Sequence, residues 1–183
     1  QDPPRGTGDA VRCASEFLEG FEGNLFVLNG DSPLVGVEEL DRLAEVLDRT
    51  GAAGALLTAR LDDPGSYGRI VRRHDGALQR IVERVEASPE EVAIDEINVG
   101  AYLFRWPSLA AVLEGLDPSS GGEVYLTDAV ERLVANGEVV EPVLADDPSV
   151  ALGVNSRQDL ARAAGVWQGR LLDRLMTEGV SIP

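Results

Sequence analysis

Asp31 stands directly after Gly30 at the end of the apolar run Leu25-Phe26-Val27-Leu28. A carboxylate there can hold Mg²⁺ through one oxygen while phosphates and waters complete the octahedron. The competing reading is a turn residue, or a cap for the helix that follows. Gly6-Thr7-Gly8 precedes a helical stretch. It offers backbone N–H groups and a hydroxyl to a polar ligand at the positive end of a helix dipole, or Thr7 is simply that helix's N-cap. Asp9, just inside the same helix, fits dipole stabilisation and repels phosphate. Glu83 and Asn98 interrupt strand-like apolar segments, so each either finds a partner and reads a ligand hydroxyl or faces solvent. Asn155, between a short apolar run and a helix start at Ser156, is a ligand group or a cap in the same way.

Other chemistry is excluded by composition. The 183 residues hold one Cys, Cys13, and one His, His74. That rules out an internal disulfide, a Cys-based zinc cluster and a Ser/His/Asp relay that would need His74 off the Asp75-Gly76 turn where it sits. No Lys occurs, so neither a P-loop lysine nor a Schiff base can form within these residues. Sixteen Arg against 32 Asp and Glu give a net charge of −16, which opposes binding to nucleic acid or to an anionic membrane. No run reaches the length of a bilayer span, and the first residues lack the features of a signal peptide. A reducing cytoplasm is the expected compartment. Asp146-Asp147 reads as a solvated loop, and Trp106, Trp167 and Met176 as packing residues.

These candidates need elements to hold them. Ala10, Val11, Cys13, Ala14, Phe17, Leu18 and Phe21 recur at helical spacing and predict an amphipathic helix ending near Gly20 to Gly23. Leu25 to Leu28 predicts a strand buried on both faces, Val37 to Leu47 a helix with Leu40, Leu43, Ala44 and Leu47 inward, and Gly54 to Ala59 another buried strand: a βαβ unit. Arg69 to Arg73 and Leu78 to Val85 flank Asp75-Gly76 and predict a hairpin. Ser88-Pro89 starts a short helix, Ile97 to Phe104 is a strand, and helices follow at Pro107 to Leu116 and Leu126 to Asn136. A strand at Val139 to Leu144 and a long helix from Ser156 to about Thr177 close the chain. The expectation is one α/β domain, with a mixed, mostly parallel sheet and a β-hairpin insertion.

The ordered set Gln1 with Gly6-Thr7-Gly8, Gly30-Asp31 with Pro33-Leu34, Leu57 to Pro64 leading into Tyr67-Gly68-Arg69-Ile70, Ile81-Val82-Glu83, Glu96-Ile97-Asn98, Gly122-Glu123, Tyr125-Leu126-Thr127-Asp128 and Gly153-Val154-Asn155 resembles a known family. It is similar, over the whole chain, to the uridylyltransferase (pyrophosphorylase) domain of bacterial bifunctional uridylyltransferase/acetyltransferases, within the sugar nucleotidyltransferase superfamily. The resemblance implies a Rossmann-like nucleotide-diphospho-sugar transferase fold. It implies transfer of the uridylyl group of UTP to N-acetylglucosamine 1-phosphate for cell-wall precursor synthesis, with Mg²⁺ as cofactor. Gln1, Gly6 and Thr7 would read uracil, and Gly30 would border the nucleotide beside Asp31. Asp31 and Asn155 would hold the metal as catalytic residues, and Gly68, Glu83 and Asn98 would bind the N-acetylglucosamine moiety, with Asn155 near the sugar nucleotide.

The resemblance also implies that residues 1–155 form a partial nucleotidyltransferase domain, lacking its first strand and glycine-rich loop. Residues 156–183 would form a helix leading toward a left-handed β-helix, through which a homotrimer would assemble. The isolated chain is expected to be inactive or barely active. Asp9, Val85, Val99 and Val124 depart from the family's usual residues. Two other readings stay open: a different sugar 1-phosphate as acceptor, and a non-catalytic module that binds a nucleotide sugar.

Overall fold

Leu56 and Phe104 point to one side of a sheet while Ala55, Leu57 and Leu103 point to the other, and both sides are covered by helices. That two-sided cover is why the strands that carry them, β2 (Gly54–Arg60) and β5 (Glu96–Arg105), are buried almost throughout. The computed structural model describes residues 1–119 and 121–182. Helix α1 (Thr7–Ala14) comes first, then β1 (Asn24–Leu28) and α2 (Val37–Thr50), whose Leu43 and Leu47 seal one face. After β2 the hairpin β3 (Arg69–Arg72) and β4 (Leu78–Val82) and the short α3 (Pro89–Val92) lead into β5. Helices α4 (Trp106–Leu113) and α5 (Leu126–Ala135) cover the other face, β6 (Val140–Leu144) follows, and α6 (Arg157–Thr177) ends the fold.

The α/β class and the hairpin insertion stand as expected, but the sheet is not mostly parallel in its pairing. Its order is β4-β3-β5-β2-β6, with β1 also on β5. Among the described residues only β2 and β6 pair in parallel; β1–β5, β2–β5, β3–β4 and β3–β5 are antiparallel. The cause is β5, which comes late in sequence and inserts against the common direction. β1, β2, β3 and β6 all run one way, yet β1 and β2 each meet β5 rather than one another. The anticipated βαβ unit is therefore split by an intervening strand.

Two further expectations change for local reasons. β1 is half exposed, with Phe26 and Leu28 at 42% and 48%, because β5 is its one partner among the described residues. The first helix is α only to Ala14 and tightens into a 3₁₀ turn over Ser15–Leu18. Cys13, two residues from the buried Val11, falls on the far side of the α-helical part, and the change to three residues per turn carries the later stripe out of register, so Phe17 and Phe21 are exposed as well. His74 is exposed at the hairpin tip, as read from its turn. Trp106 is buried and donates its indole N–H to the Leu18 carbonyl, whereas Trp167 is exposed. Asp146 and Asp147 are exposed and ion-paired, to Arg42 and Arg170.

Candidate functional site

Strand β5 changes partner along its length: Ala101 to Arg105 pair with β1, and Ile97 pairs with β3. The handover opens a crevice between the end of β1 and the start of β3. It is stapled on each side, by the Asn29 N–H to the Gly100 carbonyl and the Asn98 N–H to the Gly68 carbonyl, both at 2.9 Å. Between them β5 bulges, since Leu56 and Thr58 of β2 face Tyr102 and Asn98, two residues against four. Gly100 makes the bulge possible: its φ is +84°, and a Cβ there would run into the Asn29 amide. The bulge folds the strand enough for the Asn98 Nδ2 to donate to the Tyr102 hydroxyl at 2.6 Å, while Asn98 Oδ1 accepts from the Gly100 N–H at 3.2 Å. Asn98 is thus partnered rather than turned to solvent.

The crevice deepens into a cavity of about 460 Å³. Of the nine candidate residues, Thr7, Asp31, Gly68, Glu83, Asn98 and Asn155 line it. Asp31 lies in the turn three residues beyond β1, and its carbonyl accepts from the Val154 N–H at 2.8 Å. This bond draws together two segments separated by more than a hundred residues. A Cβ built on Gly153 would sit 3.6 Å from Asn155 Nδ2 and 3.8 Å from Asp31 Oδ2, so both side chains border the same small space beside Gly153. Neither is spent as a helix cap. The Gly36 N–H at the start of α2 is taken by the Glu39 carboxylate at 2.8 Å, and Ser156 caps α6 by accepting from the Asp159 N–H at 3.1 Å.

Glu83 follows β4 directly and forms the opposite wall. One carboxylate oxygen accepts from the Thr127 hydroxyl at 2.9 Å; the other lies 3.6 Å from where a Cβ on Gly68 would be. Burial raises the Glu83 pKa, the Thr127 hydrogen bond opposes this, and the neighbouring carboxylates of Glu86 and Glu123 add to the rise. Burial likewise drives the Tyr102 phenol upward, so it stays neutral where it accepts from Asn98. Asp31, Glu83 and Asp159 line the cavity, and no Arg does. An anionic ligand would therefore need to bring, or find, a cation.

The remaining candidates fall differently. Gly6, not Thr7, is the N-cap of α1. The Thr7 hydroxyl accepts from the Leu126 N–H at 3.0 Å, capping α5 across the fold, and Thr7 also lines the cavity. Gln1 donates to the Gly6 carbonyl at 3.0 Å and to Asp9 at 2.8 Å, so these three gather at the rim but outside the cavity lining. Gly30 is also outside it; no protein atom lies within 4 Å of a Cβ placed there, so nothing in the packing demands glycine. Val124 is buried against the backbone of Gly6 and Gly8, and Val85 is exposed and off the site. Sequence reasoning missed Tyr67, Tyr102 and Thr127 as lining residues: Tyr102 sits in an apolar strand that spacing assigns to packing, Tyr67 in a Pro/Gly/Ser turn, and Thr127 in the first turn of a helix.

A family model described as nucleotidyl transferase matches residues 1–167. A protein named bifunctional protein GlmU from Trichlorobacter lovleyi is 44% identical over 183 residues, covering 100% of this chain and 40% of its own length. One of the same name from a Synechococcus is 42% identical over 182 residues, 99% of this chain and 40% of its own. The chain thus spans about 40% of the length of these curated relatives. Among solved structures, one described as a putative glucose-1-phosphate thymidylyltransferase from Bacillus anthracis, in complex with sucrose, superposes with a TM-score of 0.68 over 91% of this chain and 62% of that one. At 20% identity it shares the fold.

Proposed function

The chain belongs to the nucleotidyl transferase family, and from that premise we propose that it supplies the metal- and sugar-binding walls of a site joining UTP to N-acetylglucosamine 1-phosphate. A phosphate oxygen of the sugar phosphate bonds to the α-phosphorus of UTP. The bond from that phosphorus to the oxygen bridging toward the β-phosphorus breaks, and pyrophosphate leaves with the electron pair, giving UDP-N-acetylglucosamine for cell-wall precursors. Such a transfer asks the protein for alignment and charge neutralisation rather than a covalent partner. The observation that carries the reading is the meeting of Asp31, Gly68, Glu83, Asn98 and Asn155 around one cavity.

The residues fit Mg²⁺. Asp31 brings a carboxylate oxygen and Asn155 a carboxamide, whose Nδ2 is the atom nearest Gly153 and whose oxygen would serve as the metal's donor with the amide turned over, in a cavity whose lining is acidic and holds no basic side chain. When bound, the ion supplies charge neutralisation to the phosphates. Glu83, with one oxygen held by Thr127, directs the other at a sugar hydroxyl, and Gly68 and Asn98 complete that wall. We assign Gln1, Gly6 and Thr7 to the uracil end, with Gly30 leaving room beside the nucleotide. We assign residues 1–155 to the transferase portion and 156–183 to the outgoing segment, which begins with α6; Ala163 is the buried residue of that helix. Trimer formation would belong to a β-helix beyond that helix. Among the described residues no helix is long and apolar enough to cross a membrane, and the single free Cys13 suits a reducing cytoplasm as the place of reaction.

Binding tests this without requiring turnover. Calorimetry of the chain with Mg²⁺ and UDP-N-acetylglucosamine should give at least tenfold tighter binding than with UDP-glucose, the worth of one good buried hydrogen bond. Equal affinity would move the reading to another sugar phosphate, and binding of neither would end it.

A further inference from the structure

The Tyr67 hydroxyl donates to the carbonyl of Ala151 and accepts from the N–H of Gly153 at 3.2 Å. One side-chain oxygen therefore ties two backbone groups, two residues apart, in the segment that delivers Asn155. Together with the Val154 N–H to Asp31 carbonyl bond, it fixes three backbone groups between Ala151 and Val154. The same hydroxyl lies 3.6 Å from the position a Gly153 Cβ would take, beside Asp31 Oδ2 and Asn155 Nδ2.

Tyr67 is itself held in place. Arg69, 2% exposed, donates to the carbonyls of Gly65 at 3.0 Å and of Pro64 and Val92 at 3.4 Å, and to that of Tyr67. Burial lowers its pKa, and four carbonyl acceptors are what such a buried guanidinium requires. The Tyr67 N–H closes the turn onto Pro64 at 3.2 Å, and its ring packs against the cluster under α2. A buried cation thus orders the turn 64–67, and the turn aims a phenol at the Asn155 segment.

We propose that Tyr67 is a positioning residue that sets the separation of Asp31 and Asn155, and through it the affinity of the site for a divalent cation. The proposal rests on the metal reading above and extends it to a residue that acts on the cation through the backbone of 151–154 rather than as its ligand. Ligand placement errors of tenths of an ångström matter for Mg²⁺-like ions, which demand near-octahedral geometry.

The test is a Mn²⁺ titration of the chain followed by electron paramagnetic resonance, on the unaltered protein, Tyr67→Phe and Asp31→Asn, with amide exchange read at Gly153. Tyr67→Phe keeps the ring and removes the strap, so Mn²⁺ affinity should fall about tenfold, within the range seen when a metal ligand loses its support. Gly153 exchange should quicken at unchanged thermal midpoint. Asp31→Asn should abolish binding while leaving Gly153 exchange slow. If Asp31→Asn loses Mn²⁺ and Tyr67→Phe binds it like the unaltered chain, the strap is overturned and the metal reading survives. If Asp31→Asn binds Mn²⁺ normally, both fall. Should Tyr67→Phe fail to fold, the unaltered chain decides: fast exchange at Gly153 would refute the strap and slow exchange would support it.

Discussion

Glu83 is the residue whose environment says most about its task. Burial pushes its carboxyl above the usual carboxylate range, the Thr127 hydroxyl opposes that by donating to one oxygen, and the other oxygen lies beside Gly68. Glu83→Gln should weaken N-acetylglucosamine 1-phosphate binding about tenfold and leave Mn²⁺ affinity unchanged, as calorimetry can read separately. Asp128, on the first turn of α5, behaves differently. Burial first, then the carboxylates of Glu86, Glu131 and Glu83, with Arg132 opposing, push it up to about 6. A carboxyl whose folded pKa lies above its unfolded value favours the fold when protonated, and that contribution fades as pH rises from about 4 to about 6. Asp128→Asn should therefore stabilise the chain at pH 7.5, by about 1 kcal/mol once solvent screening of a half-exposed group is allowed for, and by little at pH 4. Thermal unfolding at the two pH values measures it. Glu83 was legible in the sequence as a polar break in a strand, whereas its partner Thr127, 44 residues on, carries no local signal.

At the scale of elements, the bulge in β5 does most to build the site. Gly100→Ala should cost about 2–3 kcal/mol, combining a positive φ with collision against Asn29. It should also part Asn98 from Tyr102, visible as a changed tyrosine environment in near-ultraviolet circular dichroism. A loss under about 0.5 kcal/mol would show that the bulge is not held as described. Periodicity read α2, β2, the hairpin, α5 and α6 well, because each is decided by neighbours a few positions away. It could not show that β5 comes between β1 and β2, nor that the first helix tightens after Ala14. Strand order is set by which buried faces meet, and an antiparallel and a parallel buried strand have the same apolar composition. Asn155 shows the same limit in reverse: its position before a helix invites a capping role, which Ser156 takes instead.

Taken whole, the molecule sets an acidic cavity in a chain of net charge −16, an arrangement that repels phosphates unless a divalent cation mediates. That balance favours a metal-borne nucleotide over nucleic acid, and it makes the pairing of Asp31 with Asn155 the point on which the function turns. Crystals of the chain grown with UDP-N-acetylglucosamine and Mn²⁺ would show the ion through its anomalous scattering. A single peak is predicted within about 2.0–2.3 Å of an Asp31 carboxylate oxygen and the Asn155 amide oxygen. A peak held by the pyrophosphate alone, with either side chain turned away, would contradict it.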